Sequence, residues 1–146
     1  MTAETLSRRD WLGLIARAPL PLLEALWPDD PPPFDWLRRP ETGAMMVQGR
    51  AGAVGAGFNL GEVSVTRASV RLQCGAIGHA LVQGRSPRKA ERAAVLDALL
   101  QTAAAQDVHA RVLVPLQEAE CAARETRARR AAATKVDFFT MVRGEG

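Results

Sequence analysis

The sequence has few of the residues that build nucleic-acid platforms and metal centres. It contains no tyrosine, four phenylalanines, three tryptophans, two cysteines and two histidines. So few aromatic rings leave little surface on which bases could stack. An iron–sulfur cluster needs more cysteine ligands than this chain has, and an internal zinc site is disfavoured for the same reason. We expect no metal ligands and no nucleic-acid partner for this chain.

Long apolar runs are also missing. No stretch approaches the roughly 20 apolar residues that cross a bilayer, so no membrane contact is expected. The opening MTAETLSRRDWLGLIARAPL lacks the uninterrupted apolar segment and cleavage site of a signal peptide. We therefore expect a cytoplasmic protein. At 146 residues, with 47% hydrophobic residues, the chain predicts a single domain.

The net charge of +3 is carried almost entirely by arginine, because Lys89 and Lys135 are the only lysines. Arginine suits bidentate recognition of phosphate and carboxylate. A GC-rich genome, which raises arginine and alanine together, explains the same composition.

The N-terminal half predicts a helical segment followed by strands. Ser7 is placed to cap a helix from about Arg8 to Ala18, and PDDPPPF predicts a loop. We assign 1–33 to this segment and 34–146 to the α+β core. AMMVQGR predicts a strand, GRAGAVGAGFNLGE leads out of it, and a long strand is expected over Glu62–Leu72. QCG then turns into AIGHALVQ, which predicts a hairpin.

The long strand changes its apolar phase midway. Val63 and Val65 share one face, whereas Val70 and Leu72 share the other. This change predicts a bulge or bend near 66–68.

The C-terminal half predicts two long helices. Ser86 is the expected N-cap of the first, with Pro87 at its first position. A core-facing stripe at helical spacing follows: Val95, Leu96, Leu99, Leu100 and Ala103. VHARVLV predicts a strand, and Pro115 opens a helix through about Ala133. The fold class is α+β: a mostly antiparallel sheet, formed by a β-meander plus a C-terminal strand, packed with two long helices and an N-terminal helix.

Phosphate-binding glycine motifs do not fit the glycine-rich segment. Gly55 and Gly57 would need a glycine at position 60, where Leu60 stands, and no Gly-Lys-Ser/Thr occurs. A strand also follows where these motifs need a helix. A flexible turn is the simpler interpretation, and a backbone cradle for an anion at a shared site is the alternative.

Candidate catalytic residues are isolated. Ser86 and Lys89 fit the S-x-x-K pattern of some acyl-transfer enzymes, but the supporting motifs are missing and capping explains Ser86. His79 and His109 stand apart from other ligands, and Cys74 and Cys121 form no C-x-x-C pair. Glu91 and Asp97 are interpreted as solvated carboxylates on the first long helix. We predict no catalytic residue and no independent activity.

Five stretches in the same order resemble one family. They are PETG (40–43), GEVSVTRASVRL (61–72), GHALVQGR (78–85), AERAAVLDALLQ (90–101) and AAATKVDFFTMVRGE (131–145). These stretches resemble PhnG, a small subunit of the bacterial carbon–phosphorus lyase core complex, and VDFFTMVRG is the most specific of them. The chain departs from the family at Lys89, which stands where histidine is common, and at His79, which stands where an aromatic residue is common.

The resemblance implies a part in organic phosphonate catabolism, within a complex of lyase and transferase activities. Implied partners are PhnH, PhnI and PhnJ type subunits, two copies of each, with PhnL in the first reaction. That reaction joins phosphonate to the ribose C1 of ATP and displaces adenine, giving ribose 1-phosphonate 5-triphosphate. PhnI is expected to hold the nucleoside-cleaving activity. The iron–sulfur cluster and S-adenosylmethionine are expected on PhnJ, so no cofactor is expected in this chain.

Two roles for the chain remain open at this point. It is a structural or accessory subunit, or it contributes phosphate or nucleotide contacts to the transferase site. The candidate contacts are Thr66, Arg67, Arg71 and Arg85. Surface or intersubunit salt bridges explain the same arginines.

The tail from Val136 to Val142 is apolar on both faces of an extended strand, which predicts a strand that partner subunits help to cover. Candidate interface residues are Phe138, Phe139, Met141, Val142 and Arg143.

Truncation after Thr134 should leave the chain insoluble or outside the complex, since losing one buried phenylalanine costs roughly 3–5 kcal/mol. Solubility and co-purification measure this. A truncated chain that folds and co-purifies stoichiometrically contradicts the prediction.

Overall fold

The computed structural model describes residues 6–52 and 54–136. In chain order the elements are α1 (Arg8–Arg17), α2 (Leu20–Ala25), β1 (Phe34–Arg50), β2 (Gly57–Leu72), β3 (Ile77–Gln83), α3 (Pro87–Leu99), α4 (Ala105–Val108), a π-helical turn (His109–Leu113) and α5 (Val114–Ala133). The strands form an antiparallel sheet in the order β1-β2-β3. The predicted α+β class is confirmed. Among the described helices, none is both long and apolar enough to cross a membrane.

Helix α1 begins where its capping signal lies. The Ser7 hydroxyl accepts a hydrogen bond from the Asp10 N–H at 3.3 Å, which satisfies one of the free donors of the first turn. The helix ends before Pro19, and Pro21 lies in the first turn of α2. Leu14, Ile15 and other buried residues of these helices join the same hydrophobic core as the sheet.

Strand β1 is longer than predicted. It begins at Phe34 rather than near Ala44 and includes Pro40, which an edge strand tolerates. Two register shifts, between Trp36 and Arg38 and between Arg38 and Glu41, each add one residue to β1. The bulge expected at 66–68 is therefore not in β2 itself, whose pairing with β3 is continuous there. The extra residues lie in β1, on the opposite side of the pair.

Strand β2 changes its buried face between Val65 and Thr66, which are both buried. From Thr66 onward the buried residues alternate, and they face the hydrophobic core formed with α3. The predicted change in which face of β2 is buried is thus confirmed. It occurs between Val65 and Thr66, at the start of the segment 66–68. The hairpin to β3 is also confirmed, with Gly75 in the left-handed region at a φ of 91°.

Helix α3 packs against β2 and β3 at very short range. A Cβ atom at Gly78 would overlap the backbone of Ala94 and Ala98, so the approach requires glycine there. Alanine at 90, 93, 94 and 98 keeps the facing surface of the helix small and buried. The predicted stripe is confirmed through Leu100, but Ala103 is exposed because the helix ends at Leu99.

Residues 108–114 are helical, so the predicted strand there is wrong. Val108, Val112 and Leu116 are buried four residues apart, which is a helical spacing. A short run of valine and leucine fits a strand or a buried helix equally, and packing decides between them. The Val114 N–H bonds to the His109 carbonyl, five residues back. This wider turn precedes Pro115, which has no N–H for the helical ladder.

The described chain ends just beyond α5. Lys135 and Val136 follow this helix without regular structure. The rest of the predicted terminal strand, with Phe138, Phe139, Met141, Val142 and Arg143, lies outside the described residues.

Asp97 is fully buried, so its interpretation as a surface residue is wrong. Its carboxylate accepts hydrogen bonds from Arg8 Nε at 3.1 Å and Arg8 Nη2 at 2.7 Å. It also accepts from Trp11 Nε1 and from the backbone N–H of His79, both at 2.9 Å. One side chain therefore joins α1, α3 and the edge strand β3.

Replacing Asp97 with alanine should destabilise the protein by roughly 3–5 kcal/mol, because four N–H groups on three residues lose their buried acceptor. Urea unfolding measures this loss. Asp107→Ala, which removes an exposed carboxylate paired with Arg111 one turn away, is the matched control and should cost less than about 0.5 kcal/mol. Equal losses for the two variants would contradict a special role for Asp97.

Candidate functional site

The polar residues of the sheet gather on the face opposite α3. Arg67, Ser69 and Arg71 alternate along β2 with the core residues, so they share this outer face. We call these three residues the arginine row. Their partners on β3 are Leu81, His79 and Ile77, in that order.

Ser69 and His79 form a hydrogen-bonded pair across the two strands. The distance from Ser69 Oγ to His79 Nδ1 is 2.8 Å. The backbone of His79 is held by Asp97, but that carboxylate does not bond to the ring. Within the described residues no carboxylate orients the imidazole, as a nucleophile–base pair requires. The pair is a polar contact rather than a catalytic dyad.

Glu41 lies at one end of the arginine row and binds two guanidinium groups. Arg67 Nε donates to Glu41 Oε1 at 2.8 Å, and Arg38 pairs with the same oxygen. Partial desolvation raises the pKa of the Glu41 carboxyl, but the hydrogen bond to Arg67 and the charges of Arg67 and Arg38 outweigh it. The pKa of Glu41 is therefore lowered overall. Glu41 occupies a position where an external anion could bind in its place.

The other two predicted arginines differ in their placement. Arg71 lies on the outer face, four residues and roughly 13 Å along β2 from Arg67. Arg85 lies beyond the end of β3, in the loop that leads to α3. In the described part of the chain, no carboxylate is within ion-pair distance of either residue. The structure thus places Arg67 and Arg71 on one face of the sheet, whereas Arg85 lies in the loop between β3 and α3.

Thr66 cannot offer its hydroxyl to a ligand in this structure, which corrects its assignment as a phosphate contact. The side chain is fully buried. Its Oγ1 donates to the Gly84 carbonyl at 2.7 Å and accepts the N–H of Ser86 at 3.0 Å. Thr66 therefore fixes the loop between β3 and α3.

Ser86 is at the N-cap position of α3, but its side chain makes no capping hydrogen bond, so the predicted capping role is wrong. Its backbone N–H is bound by Thr66, and its φ and ψ of −137° and 83° set the chain direction into the helix. Lys89 is half-buried, and desolvation lowers the pKa of its amine. Among the described residues no hydrogen bond joins Ser86 to Lys89, as S-x-x-K chemistry would need.

The remaining candidates are scattered. Cys74 and Cys121 are exposed and free, and the described residues contain no group of three or more potential metal ligands. His109 lines a cavity of about 320 Å³ with Leu6 and Trp11, and its Nε2 is buried without a partner in the described structure. Much of the glycine-rich segment is strand, because β1 extends to Arg50 and β2 begins at Gly57.

The arginine row is best suited to binding an anion. Two guanidinium groups flank a hydroxyl on an open sheet face, and guanidinium binds phosphate or carboxylate oxygens through two hydrogen bonds. Sequence reasoning found Arg67 and Arg71 but missed Ser69 and Glu41. Strand alternation along β2 indicates that Ser69 shares a face with Arg67 and Arg71. Glu41 can be placed beside Arg67 only once the register between β1 and β2 is known.

Comparison with known proteins identifies a matching family and a curated relative. A family model described as "Phosphonate metabolism protein PhnG" matches residues 6–144. A curated relative from Rhizobium meliloti (strain 1021), named alpha-D-ribose 1-methylphosphonate 5-triphosphate synthase subunit PhnG, is 44% identical over 144 residues. The alignment covers 94% of this chain and 90% of that relative.

Arg67→Ala should raise the pKa of Glu41 toward its ordinary value, because the largest favourable contact to the charged carboxylate is lost. Carbon-detected NMR titration of the Glu41 carboxyl measures this change. Arg50→Ala, which removes an arginine near the far end of β1, is the control and should leave the titration unchanged. An unaltered midpoint in Arg67→Ala would contradict the observed pairing.

Proposed function

This chain belongs to the PhnG family of phosphonate metabolism proteins, and from that premise we propose that it is a subunit of the carbon–phosphorus lyase core complex. Its task is to enable, together with its partners, the formation of ribose 1-phosphonate 5-triphosphate from ATP and an alkylphosphonate. The observation that carries the proposal is the match to the synthase subunit, which extends over nearly the whole of both chains. The reaction belongs to organic phosphonate catabolism.

The proposed partners are subunits of the PhnH, PhnI and PhnJ types, two copies of each, with a PhnL-type protein in the first reaction. The nucleoside-cleaving step is assigned to the PhnI-type subunit. The iron–sulfur cluster and S-adenosylmethionine are assigned to the PhnJ-type subunit. This division of labour leaves the present chain to stabilise the assembly.

An accessory role agrees with the way the polar groups of the described chain are used. Asp97 receives four hydrogen bonds inside the fold, and Thr66 fixes a loop. Ser69 and His79 bind each other without a carboxylate at the ring. These contacts position backbone and side chains rather than prepare a proton transfer.

A second candidate function is direct binding of the nucleotide phosphates by the arginine row. The observation in its favour is that Arg71 is exposed on the same face as Ser69 and forms no ion pair with a described carboxylate, although Asp35 of β1 is its cross-strand partner. The triphosphate of ATP is an anion of suitable chemistry for such a row. Arg67 is a weaker contributor, since Glu41 already occupies its Nε.

Reconstitution tests the first role. Purified PhnH-, PhnI- and PhnL-type partners are incubated with ATP and methylphosphonate, with and without this chain, and adenine release is followed. Omitting the chain should lower turnover at least a hundredfold, and the chain alone should release no adenine. Full turnover by the partners without it would overturn the proposed function.

Arginine substitutions in the same assay separate the two candidates. If the role is accessory, Arg67→Ala and Arg71→Ala should leave the turnover within about threefold of the wild type. If the row binds phosphates in the transition state, loss of one donor should lower kcat by roughly 10²–10³ while the complex stays intact. Arg111→Ala, which changes an exposed arginine on the π-helical turn, is the control for both.

A further inference from the structure

The β1–β2 hairpin extends well beyond the rest of the sheet. Strand β3 ends at Gln83, which pairs with Val65 of β2. The strand residues between 45 and 63 therefore pair only across the hairpin, as far as the described residues show. We call this two-stranded part the ribbon. A two-stranded hairpin alone in water is at best marginally stable.

The ribbon is unusually poor in charge and rich in exposed apolar side chains. Arg50 and Glu62 are its only charged residues, although 24% of the whole chain is charged. Most of the large exposed apolar side chains of the described chain lie here: Met45, Met46, Val54, Phe58 and Leu60. Leu60 is 67% exposed and Phe58 is 46% exposed. An exposed apolar patch of this kind marks a binding surface.

The strand register aligns part of this apolar surface on one face. Met45 pairs with Val63, and the position of Gly49 beside Leu60 and Phe58 places those side chains on the same face. Alternation along β1 places Met45 and Gly49 on the outer face, which also carries the arginine row. A register shift between Val47 and Gln48 adds one residue to β2, and this shift brings Phe58 and Leu60 to the outer face as well. The apolar residues of β2 thus face α3 from Thr66 onward, and face away from it before Val65. No described element of this chain covers that outer face of the ribbon.

We propose that the ribbon docks into an apolar, uncharged cleft of a partner subunit of different sequence. This inference rests on the proposed function, because it assigns the docking surface within the complex proposed above. The change of phase in β2 marks where burial by the chain's own α3 gives way to burial by the partner. The low charge of the ribbon specifies the chemistry of the cleft, since an ionised group facing it would be desolvated without a counter-charge.

A second copy of this chain is a poorer occupant. The ribbon, about seven residues long and two strands wide, covers roughly 230 Å² on each face. A stable interface buries roughly 800 Å² on each partner. Ribbon-to-ribbon pairing of two copies would cover one face and fall well short. A cleft that encloses both faces covers about twice the area of one face, and it also covers Met46 on the inner face.

Co-expression of the full chain with PhnH-, PhnI- and PhnJ-type subunits tests the inference. The double variant Phe58→Ser and Leu60→Ser should lower the amount of co-purified partner at least tenfold. Leu37→Ser is the matched control, because Leu37 is 47% exposed but lies in the three-stranded part of the sheet. It should assemble like the wild type. The melting temperature of each free variant verifies that the fold is kept.

The outcomes distinguish a failure of the ribbon inference from a failure of the proposed function. If the wild-type chain and the double variant assemble equally well, the ribbon inference is overturned and the proposed function stays intact. A wild-type chain that co-purifies with none of the three subunits overturns both. A free chain that is dimeric by light scattering, and that becomes monomeric in the double variant, shows that a second copy occupies the ribbon and overturns the heteromeric assignment.

Discussion

The carboxylate of Asp97 ties helix α1 to the packed pair formed by helix α3 and strand β3. A buried charge is tolerated only when its hydrogen bonds are satisfied, and Arg8, Trp11 and the His79 backbone supply them. Two of these donors lie on α1, so the carboxylate fixes where that helix docks. The third donor lies on the exposed edge of β3. Gln101 also bonds to this edge, because its side-chain amide donates to the Ile77 carbonyl at 2.8 Å.

This arrangement determines which surfaces of the sheet remain available. Unpaired strand edges invite pairing with other chains, and the Asp97 and Gln101 contacts remove part of that edge on β3. The inner face of β2 and β3 is filled by α3, whose approach is so close that Gly78 has no room for a side chain. The outer face and the ribbon are what the described chain leaves open. Both the arginine row and the apolar side chains of the ribbon lie there.

The sequence allowed local structure to be predicted where one signal dominated. Ser7 before an amphipathic run indicated α1, Pro87 with its apolar stripe indicated α3, and alternation with a glycine turn indicated the β2–β3 hairpin. Strand β1 was missed upstream of Ala44 because Pro40 and its charged neighbours are typical of loops, and its exposed edge tolerates them. Residues 108–114 were misassigned because valine-rich runs fit either period.

The candidate site was harder to predict because it depends on contacts between distant residues. Considered by residue type alone, Asp97 is interpreted as a surface acid. It lies seven residues after Ala90 and three after Ala94, however, and this spacing puts it on the buried side of α3. That position on the helical wheel was the available signal. Glu41 could not be connected to Arg67 at all without the register shifts in β1, which no local pattern encodes.

The position of the arginine row next to the ribbon links the two roles considered for this chain. A partner seated on the outer face of the ribbon would border Arg67 and displace water from its surroundings. Interactions between guanidinium and phosphate strengthen as water is excluded, so a row that binds anions weakly in the free chain would bind them better in the assembly. In the free chain the Glu41 carboxylate bonds to Arg67 and pairs with Arg38, so an incoming anion would compete with this carboxylate. The two proposals thus concern one face of the sheet, because the ribbon and the arginine row lie side by side on it.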